Sequence, residues 1–192
     1  MLEPMDPEPM TADTFLAWDE GRQPMHELIA GVLVPWRYGG ALHGMIVVNL
    51  IGVTHEALRG TGFRPHTSSL GLRIDDRTVR RADLSVDGGS NHRDALRLAA
   101  PIAAIEVLLA DEGLPQDKLA AYRSVPTMQH IVAIASDVVD VVMWSRSDGA
   151  WKMARFTDLD DVLPLPGIGT DLPLAAIYED ADPAPARPRL VE

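Results

Sequence analysis

Apolar positions along the chain keep two rhythms, and the switches between them mark out the elements. Thr11 followed by ADTFLAWDE predicts a short helix over 12–20, with Thr11 as N-cap, Asp13 in the favourable first turn and Gly21 as the stop. Residues 25–36 are rich in strand formers on either side of Ala30-Gly31, which predicts a first hairpin with a tight turn. From Gly40 to Arg59 the spacing lengthens: Met45, Val48, Leu50, Val53 and Leu58 recur at helical intervals, and Gly60 closes the longest helix. Strands are expected over 63–66 and 70–75, with Asp75-Asp76-Arg77 turning into a second arm, VRRADLSV, that carries Asp83. The polar stretch 87–100 reads as a loop, PIAAIEVLL as a strand, and 116–124 as a helix opened by Pro115. Residues 128–135, 138–145 and 149–156 read as strands joined by short turns, with Trp144 and Trp151 packed in or beside that hairpin. Residues 161–173 read as a loop, and LAAIYED as a last helical turn or two.

These elements add up to one α/β domain over 11–179, a mixed and largely antiparallel sheet flanked by the helices at 40–59 and 113–124. Residues 1–10 and 180–192 read as flexible tails. A chain of 192 residues can bury roughly 70% of the surface its unfolded form exposes. There is no cysteine, which excludes disulfides, zinc-thiolate sites and thiol nucleophiles. MLEPMDPEPM lacks the basic and apolar regions of a signal peptide, and no apolar run reaches the ~18 residues of a membrane span. The expectation is a cytoplasmic protein without a membrane segment. No phosphate-cradling GxxxxGK[ST], GxGxxG, nucleophile elbow or internal repeat is present.

Two acids break this pattern. Asp83 lies between Ala82 and Leu84, and Glu106 between Ile105 and Val107, in segments whose composition asks for burial. A charge there is costly unless paired, hydrogen-bonded or metal-bound. Twelve residues after Glu106 comes Lys118, one of two lysines in a chain with fifteen arginines. Two carboxylates can hold one or two hard divalent cations through oxygen, leaving places for water and a substrate phosphate. An ammonium nearby can orient the water or neutralise charge on the phosphate, a task for a compact point charge. This is the chemistry of metal-dependent phosphodiester hydrolysis.

Asp83, then Glu106 in a later strand, then a lysine, resembles the PD-(D/E)XK restriction-endonuclease-like superfamily. The likeness is to its small bacterial members, known as restriction endonucleases of unknown function. It runs through TADTFLAWDE, HELIAGVLV, the helix holding His43, VRRADLSV, IEVLL, DKLAAYRS and LPLAAIYED. The wider superfamily places its lysine at the position of Leu108, whereas the smaller group carries it on the following helix, as Lys118 is here. The resemblance implies a restriction-endonuclease-like fold, DNA as substrate, and Mg²⁺ (or Mn²⁺) held by Asp83 and Glu106; a homodimer is expected as well. It also implies that Lys118 serves the water or phosphate, and that Glu27 in the ELI segment is a further site acid. A surface ion pair is the other reading of Glu27.

A rival expectation is a catalytically inactive dimeric interaction or scaffold module on the same fold. It draws on a net charge of −11, which opposes binding of nucleic acid, and on Leu109-Ala110-Asp111-Glu112 where the family has a Ser/Pro/Thr segment. Arg59, Arg64, Arg73, Arg77, Arg80 and Arg81 form either a basic face or a set of ion-pair partners, with the second favoured. His43 either approaches the metal or phosphate or caps its helix, His55 has no site role, and His92 and Arg93 lie in the loop.

Overall fold

A computed structural model describes residues 9–37, 39–90, 92–110 and 112–184. The first helix, α1 (Ala12–Asp19), starts at Thr11, whose hydroxyl accepts from the Thr14 N–H at 3.2 Å, and buries Ala12, Phe15 and Leu16. The first hairpin is β1 (His26–Ile29) and β2 (Val32–Pro35). Its turn residues Ala30 and Gly31 have φ of 51° and 84°, the positive pair that matches the twist of a two-residue hairpin. Helix α2 (Ala41–Ala57) follows, and its buried face is Ile46, Leu50 and Thr54, running on to Leu58. Of the face expected from the sequence, Leu50 and Leu58 are buried and Val53 packs partly buried against the core, whereas Met45 and Val48 are 38% and 67% exposed. The helix is apolar almost all round, so no polar stripe fixes its phase.

The chain then forms β3 (Arg64–Thr67), β4 (Leu72–Asp75), β5 (Thr78–Arg80), β6 (Leu84–Asp87) and β7 (Pro101–Leu108). Helix α3 (Gln116–Ser124) leads to β8 (His130–Ala135), β9 (Val141–Ser147) and β10 (Ala150–Phe156). Next come β11 (Val162–Leu165), one 3-10 turn (Pro166–Ile168), β12 (Thr170–Pro173) and α4 (Leu174–Ile177). The fold is α/β, with a mixed six-stranded sheet in the order β10-β9-β8-β7-β6-β3 and an antiparallel four-stranded sheet, β2-β1-β5-β4. Within the larger sheet β7 and β8 are parallel and every other pair is antiparallel. Parallel neighbours need a crossover, and α3 is that crossover.

Two expectations are corrected. Asp83 is not inside the second arm of a hairpin: β5 ends at Arg80 in the smaller sheet, β6 begins at Leu84 in the larger one, and Arg81–Ala82–Asp83 is the passage between them. Residues 161–173 are not a loop. Their alternating Leu163, Leu165 and Leu172 are buried in a β11–β12 hairpin, whose prolines are tolerated because the ribbon is two strands wide.

Successive residues of β7 serve opposite faces. Ala103, Ile105 and Val107 join the core beneath α2, α4 and the β11–β12 hairpin, while Ala104 packs toward α3 with Leu119, Tyr122 and Ile131. Glu106 shares the phase of Ala104, which turns it toward α3. Past residue 179 packing continues, since Ala181 is buried and Ala184 exchanges backbone hydrogen bonds with Asp137 and Val139. The rest of the expected tails, 1–8 and 185–192, lies outside the described residues. No helix among the described residues is long and apolar enough to cross a membrane.

One buried histidine ties the β11–β12 hairpin to the larger sheet. His130 Nε2 accepts from the Gly167 N–H at 2.9 Å and Nδ1 faces Ser145 Oγ at 3.1 Å. Any side chain at 167 would collide with it, because a Cβ there would stand 2.7 Å from Nε2. Burial pushes the imidazole from 6.5 down to about 4, so the native ring is neutral. Its contribution to stability is complete above pH 6.5 and is lost as pH falls from 6.5 toward 4. Chemical denaturation of the wild type should therefore lose up to about 3 kcal/mol across that window that a His130→Gln variant does not lose. Parallel pH profiles for the two proteins would contradict this.

Candidate active site

Three buried carboxylates meet where the two sheets face α3. Asp83, at the passage between sheets, accepts from the Val107 N–H at 2.8 Å through Oδ2 and lies 3.3 Å from His43 Nε2 through Oδ1. Glu106, on β7, accepts at Oε1 from the Tyr122 hydroxyl at 2.5 Å and from Lys118 Nζ at 2.9 Å. Glu27, on β1, takes the Arg81 N–H at 2.8 Å and Lys118 Nζ at 3.4 Å on Oε1, and Arg80 at 3.1 Å on Oε2. The Lys118 ammonium thus sits between two acids from different sheets. Helix α3 brings it there: Lys118 and Tyr122, four residues apart, share the face turned to β7. The start of that helix is pinned by Arg80, whose second amino group reaches Asp117 at 2.6 Å.

Burial and mutual charge set the protonation states. Glu106 is pushed up to about 7, first by burial and then by the charge of Asp83, against the pull of Lys118 and Tyr122. Burial lowers Lys118, but the charges of Glu106 and Glu27 outweigh it and hold the ammonium above its ordinary value. The hydrogen bond to Asp83 raises His43 against its burial. Burial, and then Glu106, lifts Tyr122 well above the ordinary phenol. The surrounding groove collects five acids, Glu27, Asp83, Glu106, Glu112 and Asp117, against Arg37, Arg80 and Lys118. A dication would offset that surplus.

Among the described residues no three His, Asp or Glu side chains gather closely enough to cage a metal by themselves. Asp83 and Glu106 keep further lone pairs beyond the bonds above, since each ionised carboxylate has about four acceptor sites. Two hard oxygen donors with room for water fit Mg²⁺ or Mn²⁺, which bind through one or two carboxylates plus substrate phosphate.

The structure brings together Asp83, Glu106, Lys118 and Glu27, and adds His43 through Asp83. His55 lies in another groove beside Arg59 and Arg64, and His92 pairs with Asp94 in a third place. Arg59, Arg73, Arg80 and Arg81 are ion-pair partners of Glu56, Asp13 and Asp76, Glu27 and Asp117, and Asp19. Sequence reasoning gave no site role to Tyr122 or Asp117, and favoured Arg80 as an ion-pair partner without locating its acids. The four-residue spacing of Lys118 and Tyr122 was an available signal; the Arg80–Asp117 contact, across 37 residues, had none.

Sheet order, crossover helix and buried carboxylate–lysine cluster define a protein of the restriction-endonuclease-like class. Residues 12–176 match the family described as Uma2, putative restriction endonuclease, and the chain belongs to that family. Among solved structures it is similar to one described as a putative nuclease belonging to DUF820 from Anabaena variabilis. That likeness has a TM-score of 0.69 at 20% identity over 90% of this chain and 99% of the other, a likeness of fold. No curated protein matches the chain.

The Arg80–Asp117 contact can be tested through the two lysines. Lys118 is 12% exposed at its side chain whereas Lys152 is open to solvent, so acetylation followed by mass spectrometry gives a site rate and an internal reference. Asp117 is largely exposed and its loss should leave the fold intact. Asp117→Asn should speed Lys118 acetylation relative to Lys152 by about fivefold, the equivalent of an exposed ion pair at its upper value of ~1 kcal/mol. An unchanged ratio would show that Asp117 does not hold the start of α3.

Proposed function

We propose that this chain is a metal-dependent endonuclease that hydrolyses phosphodiester bonds of DNA. The observation that carries the reading is the convergence of Asp83 and Glu106 with a protonated Lys118 whose Nζ is 2.9 Å from Glu106. Family membership supports the same reaction class. Asp83 and Glu106 would hold Mg²⁺ or Mn²⁺, which when bound acidifies water and stabilises charge on phosphate. His43 and the Val107 N–H fix the orientation of Asp83, and Tyr122 that of Glu106. Lys118, charged and held from both sides, donates to a phosphate oxygen or orients the attacking water. Glu27 acts through Lys118, since its oxygens are already engaged by Arg80, the Arg81 N–H and the ammonium. In the reaction, a water oxygen bonds to phosphorus, one P–O bond to the sugar breaks, and the leaving oxygen takes a proton.

The rival is a non-catalytic dimeric module, favoured by the acid surplus of the groove and by Leu42, Met45 and Val48 exposed on α2. Calorimetric titration of Mn²⁺ and Mg²⁺, with and without DNA, separates the two. The nuclease reading expects binding in the wild type that Asp83→Asn abolishes, with metal-dependent cleavage of DNA falling at least about hundredfold in Asp83→Asn or Glu106→Gln. Metal-dependent cleavage that survives the double substitution would sink it, and no binding even with DNA present would favour the module.

A further inference from the structure

Apolar side chains stand beside the carboxylates, and phosphodiester hydrolysis by itself gives them no task. Ile29, Val34 and Trp36 of the first hairpin line the groove together with Leu108, Leu109 and Leu114, from between β7 and α3. All except Leu114 keep part of their surface in solvent. The half-open groove holds about 250 Å³, just under the usual range of small-ligand sites, room for one nucleotide's base and not for a duplex.

Charge points the same way. Acids outnumber bases in the groove and Arg80 is committed to Glu27 and Asp117, which opposes any nucleic acid but weighs less on a single strand, whose phosphates are less densely charged than a duplex's. A paired base also hides its faces in the stack, out of reach of Trp36. An unpaired nucleotide meets both parts of the groove at once: its phosphate over Asp83, Glu106 and Lys118, its base against Trp36 and the leucines.

We propose that the groove takes single-stranded DNA, with one base held by Trp36 and the leucines. This rests on the hydrolase reading above and specifies its substrate. Trp36 and Leu109 then decide which strands are accepted, while the carboxylates and Lys118 carry the chemistry.

Binding without turnover tests the idea. A fluorescein-labelled DNA strand of ~12 nucleotides and the same strand in a duplex are titrated with protein in Ca²⁺, with fluorescence anisotropy as the readout. The single strand should bind about tenfold more tightly. Trp36→Ala should weaken the single strand about tenfold while leaving the duplex and Mn²⁺ affinities unchanged, and Trp36→Phe should restore most of the loss. Should Trp36→Ala fail to fold, Leu109→Ser in the same groove lining should show the same selective loss. A duplex that binds as well as the single strand, a single strand that does not bind, or a single-strand affinity indifferent to these substitutions overturns the proposal. Metal-dependent cleavage with no strand preference overturns it while sparing the hydrolase reading; selective single-strand binding without cleavage overturns the hydrolase reading instead.

Discussion

An ammonium buried between two carboxylates holds this structure's working end together. Lys118 lies 2.9 Å from Glu106 and 3.4 Å from Glu27, with all three side chains nearly out of water. Taking such charges from water costs several kcal/mol each, repaid only if the geometry is good and the remaining lone pairs are met. Here Tyr122, the Arg81 N–H and Arg80 meet them. The smaller sheet, the larger sheet and the crossover helix must therefore arrive at one point. A lysine on α3 can serve a carboxylate on β7 because Arg80 and Asp117 fix where that helix begins.

Much of this was legible in the sequence, for reasons that differ by element. An acid flanked by Ile105 and Val107 announces a buried carboxylate, and so Glu106 was found in its strand. Asp83 was found by the same logic, but a local pattern cannot show that the chain changes sheets there. The phase of α2 was hidden because nearly every position from Met45 to Val53 is apolar or small, so tertiary contacts choose the buried side. Residues 161–173 misled because proline signals a loop, whereas the alternation of leucines was the stronger constraint. The role of Arg80 depends on a neighbour 53 residues away, which spacing alone does not reveal.

Fold and site give different kinds of information. The shared architecture with a solved structure at 20% identity says how the chain is laid out, and a layout hosts many chemistries. What narrows the chemistry is local: buried carboxylates, a charged amine, and a hydroxyl at 2.5 Å on Glu106. Ion pairs do not relieve the −11 charge, since arginines such as Arg81 and Arg155 offset acids such as Asp19 and Asp140 one for one. The surplus within the groove suits a cation bound ahead of, or together with, an anionic strand.

The parallel pairing of β7 with β8 has a further consequence, in the order of events during folding. Its crossover carries Lys118, and the ammonium's second carboxylate lies on β1, far back in the chain. Contacts of such separation form late, after loop-closure entropy has been overcome. A nascent or half-folded chain thus holds its carboxylates apart from its amine. The carboxylate–lysine cluster would appear only with the finished topology, so that a half-folded copy would lack it.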